Sequence, residues 1–214
     1  MLQYITDNSS RRAVEDQIKE VLDAGCGWIE IATDGLSDDR IRKIVEGVMP
    51  LCIEKEAFLI FRDKVNLAKE INVGGVCLSE GSEFPSHART ALGAAAVVGV
   101  EAHDTDRISS LQGLDVDFVM LRPYKAIAGC DTTPLGLAGI ADICRFMESK
   151  EILLPRVAAG GVTYDDIAPL MDAGCNGVAM SEALADAPDI ADATARAIAL
   201  LKVYEEKEQE KLKK

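Results

Sequence analysis

Eight short β-rich runs, each followed by a segment with helical periodicity, constrain this chain more than any other feature. The runs are Leu2–Thr6, Trp28–Ala32, Phe58–Phe61, Gly75–Leu78, Val97–Val100, Asp117–Leu121, Arg156–Ala159 and Gly177–Met180. Several are nearly continuously apolar, as strands buried on both faces are, and strands alternating with helices feed a parallel sheet. Between them Val14, Ile18, Val21 and Leu22 recur at helical spacing, as do Ile41, Ile44, Val45 and Val48, so each helix carries one apolar stripe. Eight such units predict closure into a (β/α)8 TIM barrel, and 214 residues suit a single domain of that kind. The domain is expected over 1–214. Its last part, 203–214, is a mixed-charge helical tail with almost nothing to bury, expected as a frayed, solvated helix end.

One turn is used twice. Leu22-Asp23-Ala24-Gly25-Cys26-Gly27 precedes the second run, and Met171-Asp172-Ala173-Gly174-Cys175-Asn176-Gly177 leads into the eighth. In both, a glycine after alanine is expected to stop the helix in the left-handed conformation.

The six cysteines (Cys26, Cys52, Cys77, Cys130, Cys144, Cys175) have no CxxC spacing, so buried reduced thiols are expected in place of a zinc knuckle or a disulfide framework. A formal net charge of −13 repels phosphate backbones and anionic lipid, which argues against nucleic-acid and membrane-surface partners. No apolar run reaches eighteen residues, and Met1–Ser9 lacks a basic stretch followed by an apolar one. A cytoplasmic protein is the expectation. An anionic ligand would then need backbone N–H groups or a few placed cations.

In a barrel of this kind ligands bind at the C-terminal ends of the strands, so the residues just after each run carry most weight. After the seventh run, Gly160 and Gly161 let backbone N–H groups approach an anion, with Asp165 and Asp166 opening the next helix. After the eighth, Ser181 can add its hydroxyl or N–H to the same phosphate cup. The plainer alternative is that the two glycines only permit a tight turn. After the third run, Arg62, Asp63 and Lys64 offer an anion partner and a carboxylate metal ligand, or else Asp63 caps a helix. Glu80 follows the fourth run, and Glu101 and His103 close the fifth. His103 can serve as acid or base, or lie on the surface at a helix start, whereas His87 reads as solvated. After the sixth run a long loop from Arg122-Pro123-Tyr124-Lys125 passes Cys130 and Asp131 to Pro134. In it Lys125 is placed to close over an anion or to remain in solvent.

Several of these segments together resemble thiamine phosphate synthase and its relative, the thiazole tautomerase, nearly from end to end. Tyr4-Ile5-Thr6-Asp7 is similar to the family's opening strand. Asp63-Lys64-Val65-Asn66-Leu67-Ala68 is similar to its Asp-Arg-Val-Asp-Leu-Ala, and Pro134-Leu135-Gly136-Leu137 to its Pro-Leu-Gly-Leu. Val157-Ala158-Ala159-Gly160-Gly161-Val162, followed by Ala173-Gly174-Cys175-Asn176-Gly177-Val178-Ala179, resembles it most closely. The resemblance implies a transferase of thiamine biosynthesis that joins a hydroxymethylpyrimidine pyrophosphate to a thiazole phosphate and releases pyrophosphate. It implies Mg2+ held by Asp63, the diphosphate steadied by Arg62 and Lys125, and the thiazole phosphate gripped by Gly160, Gly161 and Ser181. A homodimer is a further expectation.

The chain departs from the family at its reaction centre. The second-strand Gln-x-Arg-x-Lys is Glu30-Ile31-Ala32-Thr33-Asp34 here, so two cations give way to carboxylates. The His-Leu-Gly-Gln-x-Asp segment is Cys77-Leu78-Ser79-Glu80-Gly81-Ser82, the fifth-strand serine is Glu101, and the Thr-x-Thr-Lys loop is Lys125-Ala126-Ile127-Ala128-Gly129-Cys130. The tautomerase's histidine position is Pro123. Two alternatives therefore stand beside the synthase: a non-catalytic barrel of the same family that binds a phosphate ligand, and a divergent enzyme using Glu30, Glu101 and His103.

Overall fold

Strands and helices alternate without exception up to the eighth strand. They run β1 (Leu2–Ile5), α1 (Val14–Asp23), β2 (Trp28–Ile31), α2 (Asp38–Glu54), β3 (Phe58–Arg62), α3 (Val65–Ile71), β4 (Gly75–Leu78) and α4 (Pro85–Leu92). The second half continues with β5 (Val97–Ala102), α5 (Thr105–Ser110), β6 (Phe118–Leu121), α6 (Gly136–Ser149), β7 (Arg156–Ala158), α7 (Tyr164–Asp172) and β8 (Gly177–Met180). Two helices close the chain, α8 (Glu182–Ala185) and α9 (Ile190–Leu212). This is a computed structural model, and it describes residues 1–127 and 131–212, the side chains of 207–212 excepted. The eight strands pair in sequence order, all parallel, and β8 returns to β1 to close the barrel.

The expected strands agree with the observed ones to within two residues. The third gains Arg62 and the fifth runs on to Ala102. Val14, Ile18, Val21 and Leu22 on α1, and Ile41, Ile44, Val45 and Val48 on α2, are all buried, so the helical stripes face the sheet. The repeated turn has one geometry in both places. Gly25 and Gly174 take φ of 92° and 104°, while Cys26 N–H donates to Val21 O and Cys175 N–H to Leu170 O, six-residue closures that satisfy a helix-end carbonyl. Cys26, Cys52, Cys77, Cys144 and Cys175 are buried and free; Cys130 lies outside the described residues. Helix α9 continues through the charged tail to Leu212, where fraying was expected, and Lys213 and Lys214 lie outside the described residues. Among the described residues no helix is long and apolar enough to cross a membrane.

Successive strand residues point to opposite faces, so each strand sends one set of side chains out under the helices and the other into the barrel. Ile5, Ala32, Ile60, Cys77, Phe118, Met120, Val157, Ala159 and Ala179 form the inner apolar cluster, distinct from the larger one beneath the helices. Gly99 makes room for the largest inner side chain, because a Cβ there would lie 2.1 Å from the Phe118 ring. That ring meets Trp28 edge-on at 5.0 Å. The inner set also contains Gln3, Glu30, Arg62 and Glu101. Polar side chains thus stand among the apolar ones on the inner wall, and with them the C-terminal mouth becomes a site.

Candidate functional site

Two of these polar residues pair by strand register. Glu30 is level with Ile60 on the neighbouring strand, so Arg62 is the next inward residue along β3. Such diagonal positions are within reach of a long side chain, and Arg62 Nη2 donates to Glu30 Oε1 at 2.8 Å. The relationship recurs on the other side of the barrel. Glu101 is level with Met120, the next inward position past β6 is Arg122, and Arg122 Nη1 donates to Glu101 Oε1 at 2.6 Å. Glu101 Oε1 also lies 3.5 Å from Arg62 Nε, and Asp34 Oδ2 lies 3.5 Å from Arg62 Nη1. Gln3 Nε2 donates to the second Glu30 oxygen at 3.0 Å.

This network alternates in sign, which is how charge persists in a protein interior. Glu30 is fully buried, and burial pushes its carboxyl above the ordinary range despite the neighbouring Arg62. Burial works against the Arg62 charge too, but Glu30 and Glu101 outweigh it and hold the guanidinium above its ordinary value. Glu30 is matched by Arg62, and Asp34 lies at the exposed rim.

A cavity of about 150 Å3 opens above this network, lined by Thr6, Arg62, Arg122, Gly160, Gly161 and Ser181 among others. Gly160 and Gly161 take φ of 90° and 72°, a pair of left-handed residues that only glycine adopts without strain. Their close approach to the preceding loop is tight. A Cβ on Gly160 would lie 2.8 Å from Ile127 Cδ1, and one on Gly161 would lie 2.9 Å from Lys125 Cβ. Tyr124 N–H and Lys125 N–H donate to the carbonyls of Ala159 and Gly160, which fixes the turn against the loop after β6. Among the described residues, neither Gly160 N–H nor Gly161 N–H makes a hydrogen bond.

The helix behind the turn is already satisfied. Thr163 N–H and Oγ1 donate to Asp166 Oδ2 at 2.8 and 2.7 Å, a capping box in which the chain's own carboxylate fills the α7 N-terminus. Lys125 pairs with the same Asp166, and Tyr124 Oη donates to its other oxygen at 3.1 Å. Burial would raise the Asp166 carboxyl, but the bonds from Lys125 and Thr163 outweigh it and hold it below its ordinary range. Lys125, nearly half exposed, thus pairs with Asp166 beside Gly161.

A second cavity of about 280 Å3 lies between the ends of β4 and β6, lined by Ser79, Glu80, Glu101, His103, Arg122 and Thr132 among others. His103 Nδ1 lies 2.8 Å from Glu80 Oε2, and its Nε2 lies 3.3 Å from Asp104 Oδ2. Asp104 itself caps α5 by accepting from Arg107 N–H. His87 is exposed, as expected.

Asp63 stands apart from both cavities. It takes φ of 55°, and its two oxygens accept from Ser79 N–H at 2.9 Å and Ser79 Oγ at 2.6 Å, so it clasps the β4 loop. The capping role is corrected: Lys64 occupies the α3 N-cap, without a side-chain cap bond. Asp63 lines a separate cleft with Asp38, Asn66 and Glu83. Among the described residues no group of three or more His, Cys, Asp or Glu side chains could cage a metal. Mg2+ commonly takes one or two carboxylates with the rest of its shell from water and ligand phosphates, and Asp63 retains lone pairs for one such bond. The donor set fits an ion that arrives on a ligand's phosphates and does not fit a protein cage.

Sequence reasoning missed Arg122 and Asp166 as site residues. Arg122 was legible in principle, because Phe118 and Met120 point inward and period two continues to 122. Asp166 had no such signal beyond its place three residues after Thr163.

The chain and its fold have known counterparts. A family model described as "Thiamine monophosphate synthase" matches residues 2–184. The chain is 32% identical over 197 residues to a thiamine-phosphate synthase of Bacteroides fragilis strain YCH46, covering 91% of this chain and 97% of that one. It is 31% identical over 185 residues to a thiamine-phosphate synthase of Flavobacterium johnsoniae, covering 84% and 86%. In fold it is similar to a thiamine phosphate pyrophosphorylase from Pyrococcus furiosus, with a TM-score of 0.83 at 20% identity over 95% of this chain and 96% of that one.

Proposed function

The chain belongs to the thiamine monophosphate synthase family, and from that premise we propose that it joins a hydroxymethylpyrimidine pyrophosphate to a thiazole phosphate and releases pyrophosphate. The observation that carries this reading is the mouth cavity, lined by Gly160 and Gly161, whose N–H groups make no hydrogen bond among the described residues, by Ser181 and by two guanidiniums, those of Arg62 and Arg122. The N–H pair and the Ser181 hydroxyl take the thiazole phosphate. Arg62 supplies positive potential from below. Lys125, held by Asp166, supplies it from the side.

In the reaction the bond between the pyrimidine's exocyclic carbon and the diphosphate oxygen breaks, and the electron pair leaves with the diphosphate. The thiazole nitrogen then gives its lone pair to that carbon. Cations placed where the leaving charge develops lower the barrier, because they are oriented before the charge appears. Mg2+ borne by the diphosphate would add further positive charge at the leaving group, and Asp63, whose partner Ser79 lines the cavity beside His103, is the carboxylate proposed to hold it.

The same reading makes the protein cytoplasmic, in keeping with five buried thiols that are free, and a homodimer, which light scattering of the purified protein would test. The reaction is tested by incubating the protein with both substrates and Mg2+ and following thiamine phosphate and pyrophosphate together. Equal formation of the two supports the reading; neither above background sinks it. A second reading is a barrel that binds the phosphate without turnover. It is favoured by the matching of Arg62 with Glu30 and of Lys125 with Asp166, and it predicts calorimetric binding of thiazole phosphate with no product.

A further inference from the structure

We infer that Arg122 recognises the diphosphate of the ligand, and that Glu101 is a positioning residue that moves from Arg122 to Arg62 when the ligand arrives. This rests on reading the barrel mouth as a diphosphate site.

Arg122 is the residue common to the two mouth cavities, the one at the glycine turn and the one beside His103. Its side chain is 20% exposed, against 9% for Arg62. The other two cations of the mouth are engaged by carboxylates of their own: Arg62 by Glu30, and Lys125 by Asp166. Arg122 is held by Glu101, and that carboxylate is shared. The same oxygen, Oε1, is 2.6 Å from Arg122 Nη1 and 3.5 Å from Arg62 Nε.

The second partner is incomplete. Among the described residues, Arg62 Nε is buried and has no hydrogen-bond partner. A buried N–H without an acceptor is costly, and Glu101 is the carboxylate nearest to supplying one, at a distance beyond good hydrogen-bond geometry. A small displacement of Glu101 toward Arg62 would complete that bond and free the guanidinium edge that Arg122 turns to the cavities. An anion can therefore take Arg122 without leaving Glu101 as an unpaired buried charge. The carboxylate is a built-in competitor for Arg122 with a second seat ready.

The exchange is tested by calorimetric titration of inorganic pyrophosphate and, separately, inorganic phosphate into the wild-type protein and into Arg122→Gln, Arg122→Lys and Glu101→Gln, with thermal unfolding to show that each is folded. Loss of one charge-assisted contact predicts that Arg122→Gln weakens pyrophosphate by about tenfold to a hundredfold. Arg122→Lys restores part of it. Removing the competitor makes the competent state more populated, so Glu101→Gln binds pyrophosphate more tightly, by about threefold or more. A residue that only supported the fold would not tighten binding when replaced. Phosphate, seated on the glycine turn whose cavity Arg122 also lines, is weakened less than pyrophosphate by Arg122→Gln. Pyrophosphate binding unchanged in Arg122→Gln, weakened in Glu101→Gln, or absent in the wild type overturns the inference. A wild-type protein that binds pyrophosphate through Arg122 but forms no thiamine phosphate overturns the assigned reaction and leaves the inference standing. Full synthase activity in Arg122→Gln does the reverse.

Discussion

Glu30 and Arg62 stand one inward step apart on neighbouring strands, and their side chains meet at 2.8 Å inside the barrel with Glu30 wholly buried. Such a pair is held by mutual need. Removing one member leaves the other as an unpaired charge in a medium that solvates it poorly.

Arg62→Leu is accordingly expected to destabilise the protein by about 3–5 kcal/mol at neutral pH, and Glu30→Gln added to it should recover part of that loss. Chemical denaturation of the two single variants and the double gives the coupling. The pH dependence has a definite sign. The Glu30 carboxyl is raised in the folded state, so protonation favours the fold, and the Arg62→Leu deficit should shrink as pH falls from neutrality. A deficit that is the same at every pH, or additive effects in the double variant, would show the two residues to be independent.

Asp166 carries the opposite sign. Its folded carboxyl lies below the ordinary range, so the stability it contributes is present above the unfolded value, about 3.9, and is lost as pH falls through the lower native value. Asp166→Asn weakens the Thr163 cap and the Lys125 pair together. A loss of about 1–2 kcal/mol at pH 7 is expected, and the wild-type and variant melting curves should converge in acid below about pH 4.

Gly161→Ala tests the glycine turn. The substitution forces a left-handed φ of 72° on a residue with a Cβ and sets that atom 2.9 Å from Lys125 Cβ. The backbone alone costs about 1–2 kcal/mol, and the displaced turn should weaken inorganic phosphate binding while the far-UV spectrum stays native. Phosphate affinity equal to wild type would show that the anion does not sit on this turn.

Gly99→Ala probes the barrel interior away from the mouth. Its Cβ would fall inside the Phe118 ring's space, so overpacking should cost about 1–3 kcal/mol or more. Gly99→Ala combined with Phe118→Leu should be more stable than Gly99→Ala alone, as measured by thermal unfolding.

The sequence by itself determined the strands, the covering helices, the barrel class and the glycine turn, because each rests on a local rule. Inward and outward residues alternate at period two, helical stripes recur at a period near 3.6, and a left-handed turn selects glycine. Even Arg122 was within reach of such a rule. Tertiary structure alone decided what the charged residues do. Glu30 and Arg62 are 32 positions apart, Lys125 and Asp166 are 41, and Asp63 and Ser79 are 16. Their meeting depends on which strands adjoin and in what register, and no local pattern encodes that. Asp63 offers a metal ligand or a helix cap in the sequence, and it bonds Ser79 in place of capping α3. The sequence alone leaves Lys125 closing over an anion or lying in solvent, and its pairing with Asp166 is seen only in the fold. Glu30 stands in the sequence as a carboxylate in place of a cation and is half of a buried ion pair with Arg62, because an interior of low polarity keeps a charge only beside its opposite.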